Sequence, residues 1–154
     1  MASKLIPVVA TALLASAVAA PNAVEKAEAA PVLGRLVVSV SGLQPRTGSV
    51  MVALFDGRKR FPSVGGQVAG RRVAVTGAST AEAVFDGIPQ GRYAVAVFYD
   101  RNNNGKLDTR LGAIPVEPLG FSNGAKVGLF GPPAYEDAAF DLASTERTIR
   151  IAVR

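Results

Sequence analysis

The chain has 154 residues and a formal net charge of +5, and it contains neither histidine nor cysteine. Those two absences remove Ser-His-Asp and Cys-His nucleophile systems, the usual protein ligands of zinc and haem, and every disulfide. The positive balance suits an anionic component of the cell envelope as well as plain solubility, but the basic residues are not interleaved with aromatics, so nucleic acid is not an expected partner.

Lys4 precedes an apolar run from Leu5 to Ala20, and Ala17-Val18-Ala19 supplies the small residues of a cleavage point. A basic start, a short apolar run and that site read as a secretory signal peptide over residues 1–19. A span would need about 20 apolar residues in a row. Pro7 near the start of the run and Pro21 just beyond it make a retained anchor the alternative, so the mature form is expected to have no transmembrane span. Residues 20–31, rich in Ala and Glu with no strand pattern, read as a disordered leader. Residues 32–154 then form one domain, long enough to bury a core without disulfides, destined for the periplasm or the cell surface.

Leu36, Val38 and Val40 alternate with Val37, Ser39 and Ser41, as in a half-buried strand, and Gly42, Pro45 and Gly48 mark the turn after it. Ser49 to Asp56 is a second strand, apolar on both faces, which predicts a central place in its sheet. Asp56 to Gly70 is a long loop in which Arg58-Lys59-Arg60 is a solvated run or a docking patch, and Phe61 is expected to fold back onto the core. Arg71 to Thr76 is a third strand with Val73 and Val75 inward, and Glu82 to Asp86 a fourth. Gly87 to Gly91 reads as a turn into the fifth, Arg92 to Tyr99, again apolar on both faces. Leu111 to Val116 is a further short strand, Glu117 to Ala134 an irregular segment, Pro133 to Asp137 a helical turn, and Ala138 to Leu142 a short strand. Thr145 to Arg154 closes the chain with Ile149, Ile151 and Val153 inward. Short strands at regular spacing, without a sustained helical period, predict an all-β fold: a single antiparallel β-sandwich of about seven strands.

The fifth strand runs into Asp100-Arg101-Asn102-Asn103-Asn104-Gly105-Lys106-Leu107-Asp108. Counting from Asp100, oxygen-bearing side chains fall at alternate positions (Asp100, Asn102, Asn104), then at Asp108, with Gly105 at the sixth place and the Lys106 carbonyl at the seventh. Alternate side chains on a tightly turning backbone converge on one point, which is the first part of a calcium loop. The bidentate Glu expected at the twelfth place is Leu111, and Arg101, Lys106 and Arg110 oppose a cation. Calcium affinity would therefore be weak, on the order of 10⁻⁴–10⁻³ M. Glu136 or Asp137 is the expected closing acid, with Glu117 ranked behind them. The other reading of the same residues is a metal-free turn, since Asp, Asn and Gly also satisfy a tight bend.

The segments Val52-Ala53-Leu54-Phe55 and Gly91-Arg92-Tyr93-Ala94-Val95-Ala96-Val97-Phe98, the Asn-rich loop, Gly120-Phe121-Ser122-Asn123, and Phe130-Gly131-Pro132-Pro133-Ala134-Tyr135-Glu136-Asp137-Ala138 together resemble the DUF2141 family of exported bacterial proteins. The resemblance runs from about Leu33 to the C-terminus and implies no biochemistry, because the family is one of unknown function. The Gly-x-Tyr-x-Val strand leading into a polar loop is also similar to carboxypeptidase-regulatory-like and transthyretin-like sandwiches, which implies the same fold by analogy.

The expected function is that of an exported, non-enzymatic binding or accessory module. The alternative is a carrier holding a small molecule or glycan between the 100–108 loop and the 120–135 segment, against Phe121, Asn123, Phe130 and Tyr135. An enzyme would have to use paired carboxylates, and no spacing in the chain points to such a pair.

Overall fold

The structure, a computed structural model, describes residues 30–154 apart from 46 and 113. The expected signal peptide and nearly all of the leader lie outside the described residues. Among the described residues ten strands follow one another: β1 (Leu33–Ser41), β2 (Ser49–Phe55), β3 (Ala69–Ala74), β4 (Thr80–Pro89), β5 (Gly91–Asp100), β6 (Thr109–Arg110), β7 (Ile114–Pro115), β8 (Leu119–Phe121), β9 (Phe140–Leu142) and β10 (Glu146–Ala152). Among the described residues the helical element is the single turn α1 (Tyr135–Ala138), with a 3-10 turn at Ser122–Gly124. No helix among the described residues is long and apolar enough to cross a membrane.

The strands make a sandwich. One sheet has the order β10-β1-β4 and the other β3-β2-β5-β8, with β9 also on β5. Period-2 alternation assigns the faces. Leu36, Val38 and Val40 of β1, with Phe85 and Ile151, meet Val50, Val52 and Leu54 of β2 and Val95, Val97 and Tyr99 of β5 in one core. Each of these larger side chains contributes roughly 1.5–3 kcal/mol on burial. One pairing departs from the expected antiparallel plan: β10 lies parallel to β1, with Val38 opposite Ile149 and Val40 opposite Ile151. The last strand can do so because the chain has crossed through the other sheet before returning.

The two strands read as apolar on both faces are the interior neighbours of their sheet. Their second face carries a smaller core of Phe55, Phe61, Ala94, Phe121, Tyr135, Ala138 and Ala139. Ala94 is paired with Phe55 across β2 and Ala96 with Phe121 across β8, so a small residue on β5 faces a ring on each neighbour. Phe61 sits edge-on to Phe55, Phe121 and Tyr135 at centroid distances of 5.3, 5.9 and 5.9 Å. It does fold back from its loop as expected.

Three further local readings change. β4 continues through Gly87 and Ile88 to Pro89, with a register shift against β1 between Gly34 and Leu36, in place of the expected turn. The expected strand from Leu111 to Val116 is instead the second half of a hairpin, β6 against β7, with Leu111 and Gly112 in its bend. A strand, β8, lies inside the segment read as irregular. Gly120 explains how: a Cβ there would come within 2.7 Å of the Ile151 side chain and 2.8 Å of the Ala152 carbonyl. Only a glycine lets β8 settle this close to the last strand.

Candidate functional site

Asp100 is the last residue of β5 and is wholly buried, 0% exposed. A buried carboxylate needs hydrogen-bond donors. Its Oδ1 accepts the Asn104 N–H at 3.1 Å and its Oδ2 the Gly105 N–H at 2.8 Å, which pulls the chain into a closed turn. Asn102 Oδ1 accepts the Asn104 N–H at 3.0 Å, and Asn104 Oδ1 the Lys106 N–H at 2.8 Å. The remaining donors of the two carboxamides converge on one acid: Asn102 Nδ2 and Asn104 Nδ2 donate to the Asp108 carboxylate at 2.6 and 2.9 Å. The loop thus brings Asn102 and Asn104 onto Asp108, with Asp100 joined to them through the Asn104 N–H. Among the described residues, no three acid, histidine or cysteine side chains group to hold a metal ion.

The loop is tied to the sandwich on two sides by residues outside the predicted ligand set. Glu117, 7% exposed, accepts the Arg101 N–H on Oε1 at 2.8 Å and the Asp108 N–H on Oε2 at 3.1 Å, closing the neck of the loop. On the other side Asn103, at φ +61°, accepts from the Ser49 hydroxyl at 2.6 Å and from the Arg72 guanidinium at 3.1 Å. Asn tolerates that left-handed backbone better than most residues.

Glu136 and Asp137 are placed elsewhere. β9 and α1 attach to the Gly91–Tyr93 end of β5, and Tyr135 donates its hydroxyl to the Arg92 carbonyl at 2.8 Å. From Arg92 to Asp100 an extended strand covers roughly 26 Å. Glu136 pairs with Arg58 at 2.5 Å, on that far end. Glu117 takes the position beside the loop because the Tyr99 N–H donates to the Pro118 carbonyl at 2.8 Å, laying Glu117 next to Asp100. The signal for this was β8, two residues on from Glu117, hidden in a stretch that looked irregular.

The residues suggested for a small ligand do not form a wall with the loop. Phe121 and Tyr135 are buried in the smaller core, while Phe130 is 100% exposed at the tip of its own turn. Ser122 accepts the Val95 N–H at 2.9 Å and donates to the Ala138 carbonyl at 2.5 Å, and Asn123 donates to the Ala139 carbonyl. Gly120-Phe121-Ser122-Asn123 therefore staples α1 and β9 onto β5. Two open surface depressions border Asp56 to Arg60 and Asp56, Arg92, Tyr135 and Glu136, at that same end. There, burial first and the Asp56 carboxylate second push the Tyr93 hydroxyl above its usual 10.0. Burial also leads in raising Tyr135, where Arg92 works against the rise and Asp56, Glu136 and Tyr93 add to it.

No curated protein and no solved structure matches the chain. The scan of protein families matches residues 38–150 to the family described as "Uncharacterized protein conserved in bacteria", DUF2141, and the chain belongs to that family.

Proposed function

We propose that this chain is an exported binding or accessory module that acts through its loops and not by catalysis, with calcium as the ion of the Asp100–Asp108 loop. Export rests on the Lys4 to Ala20 segment. The observation that carries the calcium reading is the inward curl of oxygens: Asp100, Asn102 and Asn104 each accept a backbone N–H from further along the same turn. A carboxylate or carboxamide oxygen has two lone pairs and keeps one free after such a bond. Calcium takes oxygen donors in flexible geometry, so the donor set fits it by type.

Asp100, Asn102, Asn104 and Asp108 would supply side-chain oxygens and Lys106 its carbonyl. Glu117 is the carboxylate within reach, in place of Glu136 or Asp137, but both its oxygens hold N–H groups, so its part is to keep the neck closed. Calcium would have to displace the two amide donors from Asp108, which keeps affinity low. Against an apo sample in EDTA, about 5 mM calcium should raise the melting temperature by about 5 °C for a dissociation constant near 0.5 mM. Magnesium should not reproduce the shift, because it demands a more rigid octahedral shell, and Asp108→Asn should abolish it. No shift with calcium would reduce the loop to a hydrogen-bonded turn, which the same bonds also explain.

A further inference from the structure

At the Asp100 end of the sandwich the acids are turned inward and the bases outward. Asp100 and Glu117 are buried and committed to backbone N–H groups, and Asp108 is half-buried beneath two carboxamides. Arg101, Lys106 and Arg110 are exposed, and none of them is in an ion pair with another described residue. The hairpin of β6 and β7 projects from this positive rim, anchored where the Val116 N–H meets the Asp108 carbonyl at 3.0 Å. Leu111 stands in its bend at φ +53° and is 88% exposed. Turn chemistry favours Asn, Asp or Gly at a left-handed position, so neither local backbone preference nor core packing accounts for a leucine there. Ile114, half exposed, pairs directly with Arg110, and residues paired across an antiparallel ladder share a face.

The opposite end is more mixed in charge: Arg58 is paired with Glu136 and Arg60 with Asp56, while Lys59 and Arg92 are exposed and in no ion pair with another described residue. Leu129 and Phe130 form a second exposed apolar tip, with the exposed Lys126 three residues before Leu129. We infer that the β6–β7 hairpin docks this domain on an anionic phospholipid surface, with Leu111 and Ile114 entering the headgroup boundary and Lys106 and Arg110 on the phosphates. An apolar tip within a basic collar is the chemistry of interfacial binding, with each basic residue near the surface adding about fivefold to partitioning. The inference rests on the reading of the chain as a binding module, and it does not require calcium.

Because the chain has no cysteine, Leu111→Cys and, separately, Phe130→Cys can each carry one environment-sensitive fluorophore on the full chain. Vesicles with about one third phosphatidylglycerol should shift emission to the blue at position 111 and leave position 130 unchanged, in EDTA as in calcium. A probe at 111 reads its own surroundings, so attachment through the N-terminal apolar run would not mimic the shift. Adding Lys106→Gln and Arg110→Gln to the Leu111→Cys chain should lower vesicle affinity on the order of twentyfold, and neutral phosphatidylcholine vesicles should do little. A response at 130 instead of 111, an equal response to neutral vesicles, or none at all would overturn the inference. So would binding to an acidic polysaccharide with no shift on vesicles, which would give the surface to a glycan. A calcium-dependent melting shift stands or falls separately.

Discussion

The two ends of β5 are held by opposite physics. At Asp100 the backbone leaves the sheet into a loop whose shape is written in directional bonds: Asp100, Asn102, Asn104, Asp108 and Glu117 pair with N–H groups or with one another. At Tyr93 the same strand is covered by a loop and a helical turn whose position is set by rings stacked around Phe61. Hydrogen bonds fix geometry at small net energy, whereas apolar burial supplies energy with little directional demand. The polar end thus holds a defined shape, and the aromatic end supplies stability.

The comparison breaks most sharply at Phe61. Phe61→Ala removes the ring shared by three aromatic contacts and should cost about 3 kcal/mol in urea unfolding, with little effect on the Asp100 loop. A loss under about 1 kcal/mol would mean that the second core is not what secures that end.

At the other end, Asp100→Ala strands the Gly105 N–H and leaves the Asn104 N–H with Asn102 as its one acceptor, and should cost about 2 kcal/mol. Its diagnostic effect is local: amide exchange at Asn104, Gly105 and Asp108 should accelerate while β5 stays protected. Unchanged exchange there would show that the loop does not depend on its buried acid.

The smallest expected effect is alkaline. Tyr93 and Tyr135 have hydroxyls raised above 10.0 in the folded chain. Their neutral forms are favoured by folding, so stability is complete below pH 10 and falls as pH rises from there through the folded values. Urea midpoints at pH 9 to 11 should decline, and Tyr135→Phe should shallow that decline despite losing its bond to the Arg92 carbonyl. An equal slope in the variant would place the alkaline sensitivity elsewhere.

The alternation of Leu36, Val38 and Val40 and the two-faced apolar strands around Val52 and Val95 were enough to read a sandwich with β2 and β5 at the centre, because side-chain period and burial are local properties of a strand. The spacing from Asp100 to Asp108 likewise foretold a loop closed on its own oxygens, since the turn is made by residues within nine of one another. What the sequence left undecided depended on contacts between distant segments. Glu117 rather than Glu136 lies beside the loop because the three-residue β8 pairs with β5, which a stretch of Gly and Pro did not announce. The parallel seating of β10 on β1 and the burial of Phe121 and Tyr135 away from the loop have the same origin. Pairing partners are chosen by the free energy of the assembled sheets, and no single segment carries that information alone.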